Sequence, residues 1–402
     1  MTRRFARMTL VLAIAVTSIA GSISPASAAF SNDPDTTWMT NGIVYSVATG
    51  GDRVYLGGKF KSLRRCPTGV TCPDGTIKTV NVGALNATTG EGVRTFKVTV
   101  AGDGAIVYAL AVLDGKLYIG GKFTSVNGEP RTNLAAVDAT TGALVTDFSP
   151  EVGSTTDDYV RGMLAHDGML YIAGKFKTVD GFTRQRLAAF NGAGALNSTW
   201  RPRTSGLARS FATTCDGSQI IVGGSFEKAA GTGASFQDRK LAAIFDKTTG
   251  ALDPWATVGN ISSGTSAYDL AATCDALIMG SGGSNHLFRY DLSDDTGNLV
   301  WDLHTGGNVQ TVALYGDDRI LFGGHFANTP ANPDSSQKVS RTRFATADLD
   351  GFAYSDWTPS FDGKFFGPWD ILVRGEQVWV GGQFTQVSGN AQFFIARFTD
   401  LP

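Results

Sequence analysis

Histidine and cysteine are scarce in this chain, with four of each in 402 residues, and charged side chains make up only 17%. With so little histidine, and no His-Glu-x-x-His or Gly-x-Ser-x-Gly phrase, the usual zinc-protease and serine-hydrolase signatures are absent. No cysteine has a partner at zinc-ligand spacing, and no metal or cofactor site is expected. There is no basic excess either. Lys plus Arg number 34 against 36 Asp plus Glu, which argues against the clustered positive surface that nucleic acid requires. Beyond residue 19 no apolar run approaches the length needed to span a bilayer.

The one sustained apolar stretch is at the start. Arg3, Arg4 and Arg7 precede Met8 to Ile19, and Ala26-Ser27-Ala28 offers small residues for cleavage. That is the pattern of a secretory leader over residues 1–28. Its removal leaves 31 Lys plus Arg against 36 Asp plus Glu, a net charge near −5. The expectation is a secreted, extracellular protein with one domain over residues 29–402. In an oxidising compartment the cysteines are expected to pair, Cys66 with Cys72 across a short loop and Cys215 with Cys274 in matching Thr-Cys-Asp phrases.

Glycine, by contrast, is abundant, and the 50 glycines are not scattered. The phrase Leu56-Gly57-Gly58-Lys59-Phe60 returns from residues 119, 172, 222, 322 and 380, with a degenerate copy at Met279 to Gly283, making seven. Each copy follows an apolar strand and a tight turn. Each is followed by a loop, a third strand and a last segment carrying one aromatic: Phe96, Phe148, Trp200, Trp255, Trp301 or Trp357. Four short strands repeated seven times predict an all-β, seven-bladed β-propeller with four-stranded blades. The seventh copy ends after its third strand, so the N-terminal strand around Thr36-Thr37-Trp38 is expected to close the last blade and leave a monomer without an open edge.

The phrase Leu117-Tyr118-Ile119-Gly120-Gly121-Lys122-Phe123-Thr124-Ser125-Val126-Asn127-Gly128 resembles the delta-sixty repeat propellers of secreted proteins, and more distantly the Rax2-like propellers. The resemblance covers essentially the whole mature chain. It implies the propeller fold and brings no catalytic motif with it.

A residue that recurs across the repeats is most simply structural, because every blade has the same folding problem. The Gly-Gly pairs, the outer aromatics, Lys59/Lys122/Lys175 and Arg131/Arg184/Arg239/Arg341 all fall in that class. The position that varies lies on the innermost strands, where the repeats align Tyr45, Tyr108, Arg161, Arg209, Tyr268, Gln310 and Trp369. The next position holds Asp269 and Asp370. Aromatic rings with polar tips beside Arg forks suit sugars or small carboxylates at a channel mouth. The long connections, such as Lys61 to Val80 and Ala327 to Thr342, fall on the same face. The first expectation is a binding protein that engages a glycan or surface partner there. The alternative is a carbohydrate-active hydrolase or lyase, using Asp269 with Asp370, or Tyr108 with Arg161. His304 or His325 meeting the ring would favour that alternative.

Overall fold

The computed structural model describes residues 29–67, 71–72, 75–257, 264–362 and 366–401, so the expected leader, residues 1–28, lies outside the described residues. All regular structure among the described residues is β. The longer strands form seven antiparallel sheets in chain order. The first is Ile43–Gly50, Arg53–Lys59 and Val82–Asn86, and the last contains Pro368–Arg374, Gln377–Gly382 and Ile395–Leu401. The innermost strands pack side by side, and Pro368–Arg374 of the last sheet packs against Ile43–Gly50 of the first.

Burial explains this arrangement. Each sheet presents apolar side chains on both faces, and seven apolar clusters fill the spaces between neighbouring sheets. One cluster joins Trp379 and Ile395 of the last sheet to Val44, Val47 and Leu56 of the first. The outer aromatics are core, as the repeats predict. Trp200, Trp255, Trp301 and Trp357 each donate an indole N–H to a backbone carbonyl, of Asp246, Asp291, Leu349 and Ser31 respectively. Burying an indole without such a partner would cost about 1–3 kcal/mol.

Four-stranded blades do not describe most of the sheets. Five of the seven hold three strands, and in these the fourth segment is reduced to one bridge, for example Val137 with Leu144 or Phe245 with Leu252. Pro150, Pro202, Pro254 and Pro359 flank the outer aromatics and have no N–H to continue a ladder. The fifth sheet has a full fourth strand, Leu299–His304, where no proline intervenes.

The seam between the termini is made in two pieces. Ala29 and Phe30 pair with Leu401 and Asp400, while Asp35 N donates to Arg397 O and places Trp38 three residues later. Trp38 is buried in the cluster between the last and first sheets. The expected strand at Thr36 to Trp38 therefore does not form: Asp35 supplies a backbone bond to the last sheet, Trp38 N bonds Gly90 O of the first repeat, and the ladder itself comes from Ala29–Phe30.

Many of the long connections are also more ordered than expected. They fold into small ribbons, such as Met39–Thr40 with Ser62–Arg64 and Thr76–Lys78. Both disulfides form as expected, Cys66–Cys72 beside the first ribbon and Cys215–Cys274 between the short turns of the fourth and fifth sheets.

One residue just before each third strand takes a left-handed backbone: Asn81, Asn133, Arg186, Leu241, Asn285, Arg343 and Phe394, all with φ between 64° and 71°. Asparagine fits this position well. Asn133 Oδ1 accepts from Phe123 N, and its Nδ2 donates to Val152 O of the next connection. Asn133→Ala is expected to cost about 3 kcal/mol, from two lost buried bonds and a strained φ. Asn133→Gly should recover the part due to strain. Urea midpoints with an unchanged m-value would measure both.

Candidate functional site

The seven variable residues share a backbone cause that the repeats alone did not show. In the first sheet Val44 pairs with Gly58 and Ser46 with Gly57, leaving Tyr45 as the extra residue of a β-bulge. The same skip isolates Tyr108, Arg161, Arg209, Tyr268, Gln310 and Trp369. A bulge re-aims the side chain it frees. In five of the sheets a Gly-Gly pair lies opposite the bulge and makes room for it; the third has Ala173-Gly174 there and the fifth Gly280-Ser281. A Cβ on Gly121 would collide with the Ile106 carbonyl, and one on Gly120 would lie 2.7 Å from Val160 Cγ1 of the next sheet.

All nine candidate residues line one cavity of about 230 Å³ on the axis. Tyr45 lies between Trp369 and Tyr108, with ring centroids 5.4 and 5.5 Å away. The Arg161 guanidinium lies over Tyr108 at 5.3 Å, and that of Arg209 over Tyr268 at 5.0 Å. Gln310 is only 3% exposed, and among the described residues neither its amide nitrogen nor its amide oxygen has a hydrogen-bond partner. Trp369 Nε1 is likewise unbonded. Burial raises the Tyr45 and Tyr108 hydroxyls above their ordinary range, so both stay protonated at neutral pH.

Asp269 and Asp370 are in the wall with another task. Asp370 Oδ2 accepts from Val47 N at 2.6 Å, joining the last sheet to the first. Asp269 Oδ2 accepts from Val312 N and Thr311 Oγ1 of the sixth sheet, and its Oδ1 accepts from Leu270 N. Ser46 Oγ accepts from Leu110 N in the same way between the first and second sheets. Sequence reasoning missed these staples, because a backbone amide leaves no mark in the residue string. Both acids also line the channel cavity. Burial pushes Asp370 up to about 7, helped by Asp269 nearby, and pushes Asp269 up to about 6.

The histidines do not meet the ring. His304 ends the fourth strand of the fifth sheet beside His286, whose Nδ1 is 2.8 Å from Asp302. His325 lines a separate cleft with Arg343 and Asn308. The recurring arginines have the repeated role expected of them: Arg131, Arg184, Arg239 and Arg341 each bond two carbonyls of their own repeat, such as Thr183 and Asn197 for Arg184. A supporting layer was also missed. Arg209 Nε donates to Ser225 Oγ at 3.4 Å, and Ser225 meets Ser266 at 2.6 Å.

The fold and this axial site define an all-β, propeller-like protein, a class that serves as a scaffold for interaction or for catalysis. A family model described as "Domain of unknown function (DUF5122) beta-propeller" matches residues 113–135, which lie within one copy of the repeat. Among solved structures the chain is similar to the WD40 beta propeller domain of Doa1, at 10% identity and a TM-score of 0.52, over 93% of this chain and 97% of that one. It is also similar to the computationally designed Ika8 protein, at 13% identity and a TM-score of 0.50, over 92% of this chain and 100% of that one. At such identities the likeness concerns the fold alone. No curated protein matches.

Proposed function

We propose that the protein is a secreted, monomeric seven-bladed β-propeller of the delta-sixty repeat type, one domain over residues 29–402, that binds a glycan at its axial mouth. The surrounding long-loop face meets the partner that carries the glycan. One observation supports the reading above others: a concave wall of aromatic rings and arginine forks in which Gln310 and Trp369 keep buried, unbonded polar groups. Such groups are costly unless something bonds them. The two disulfides are consistent with export.

A glycan-array screen of the mature protein tests this, with mass spectrometry of any bound glycan. Stable complexes without new products are expected. Arg161→Ala or Arg209→Ala should abolish binding, and Lys175→Ala, on the exposed recurring position, should leave it intact. Equal effects from all three would sink the reading.

The alternative, a hydrolase or lyase using the same mouth, is favoured by two raised carboxyls facing one cavity. It is weakened by the backbone amides those carboxyls hold, and neither His304 nor His325 lines the axial cavity. New products on the array would favour it.

A further inference from the structure

We propose that the axial mouth recognises a carboxylate-bearing sugar, a uronic acid at the end of a glycan chain, with Arg161 and Arg209 taking the carboxylate and Gln310 and Trp369 the ring hydroxyls opposite. The inference rests on the glycan reading of the mouth and narrows it.

Charge is the first argument. Among the described residues, four ionisable side chains other than tyrosine line the cavity: Arg161, Arg209, Asp269 and Asp370. The two acids bond backbone amides of their own and the next sheet, and neither forms an ion pair with either arginine among the described residues. The arginines use their flat faces on Tyr108 and Tyr268. Their edges are nearly unused. Arg161 makes no hydrogen bond among the described residues, and Arg209 donates only through Nε, to Ser225. Two neighbouring guanidiniums repel, and that repulsion adds to burial in lowering the Arg209 pKa. A planar carboxylate between them relieves the repulsion and matches the guanidinium fork.

Polarity around the axis is the second argument. The cations come from the third and fourth sheets, while Gln310 and Trp369 come from the sixth and seventh, across the channel. Gln310 is more than nine-tenths buried, lines the cavity and offers one donor group and one acceptor with no partner, a match for a sugar hydroxyl pair. Tyr45, between Trp369 and Tyr108, supplies an aromatic wall for the C–H face of a ring.

Size is the third. A cavity of about 230 Å³ is smaller than the roughly 300–1,000 Å³ of drug-sized pockets, so it accepts one sugar ring and a chain must enter end-on.

Calorimetric titration of the mature protein tests the inference, using glucuronate, galacturonate, their neutral parents glucose and galactose, acetate, and a galacturonate trimer. At least one uronate should bind about tenfold or more tighter than its neutral parent. The trimer should bind at least as well as its monomer. Arg161→Met should bring the affinity for the uronate down to that of its neutral parent, and Arg161→Lys should keep part of the preference. If Arg161→Met shifts the thermal midpoint, Arg209→Met serves as the second variant. A neutral parent that binds as tightly as the acid overturns the inference, as does acetate matching the uronate, or arginine variants that keep the preference. Binding of the monomer with exclusion of the trimer rejects the chain end in favour of a free sugar acid. If no sugar or glycan binds at all, the glycan reading falls too. If neutral glycans bind and acids gain nothing, only the carboxylate inference fails.

Discussion

Gly121→Ala is expected to lose about 4 kcal/mol or more of stability and to withdraw Tyr108 from the channel wall. The added Cβ points into the Ile106 carbonyl, with Val107 Cα 3.0 Å and Ile106 C 3.1 Å behind it. Every obstructing atom is backbone, so no side chain can swing aside. Relief comes only if the bulge is lost, and that would return Tyr108 to the ladder and shift the register of the strand. Gly58, Gly174, Gly224 and Gly324 are confined in the same way by the carbonyls of Ile43, Tyr159, Leu207 and Asn308. Gly115→Ala is the matched control. Gly115 has φ +71° and nothing within 4 Å of where a methyl would sit, so its substitution should cost only about 1 kcal/mol. Urea unfolding of the two variants compares them directly. A Gly121→Ala protein as stable as Gly115→Ala would mean that the bulges do not depend on the paired glycines.

Stability should fall as pH rises from 4 to 8, and Asp370 should account for the largest share. An aspartate in the unfolded chain titrates near 3.8, whereas the folded protein holds Asp370 up to about 7 and Asp269 up to about 6. Between those limits the folded state binds more protons than the unfolded state. The stabilisation is therefore complete below about pH 4 and is lost as pH climbs through the folded values. A tenfold difference in proton affinity is worth about 1.4 kcal/mol, which gives an upper bound of roughly 4 kcal/mol for Asp370 and roughly 3 for Asp269. Carboxyls held down by turn bonds, such as Asp138 and Asp246 with their threonines, act in the opposite direction and below about pH 4. The burial-lowered His286 also contributes near neutrality, so the informative quantity is a difference between proteins. Asp370→Asn keeps an oxygen for Val47 N and removes the titration, so its stability curve should be flatter than that of the wild type between pH 5 and 8. Denaturant midpoints across that range measure it. Parallel curves for the two proteins would show that Asp370 carries its charge at no cost.

The channel residues were legible because the chain repeats itself. Aligning seven copies places Tyr45, Arg161, Gln310 and Trp369 in one register, and the cavity gathers all of them. The reason they point inward was not legible. A bulge is a property of two paired strands, and the glycines that permit it read equally well as tight packing. Asp269 and Asp370 looked like a catalytic pair because carboxylates beside arginines in a mouth usually suggest chemistry. Their partners, Val312 N and Val47 N, lie 43 and 323 residues away and carry no side-chain signature. The outer strands were overread for a simpler reason. An apolar-aromatic segment after a Thr-Thr-Gly turn has strand composition, yet a neighbouring proline or an early turn stops the ladder after one bridge.

A side chain released by a bulge answers to neither the hydrogen-bond ladder nor the packed layers between the sheets. Its identity can change while the framework around it stays the same. Seven such places face one another across a short radius. The molecule is thus organised like a lock with interchangeable tumblers: a constant barrel and a small set of letters that can be rewritten independently to suit a new key.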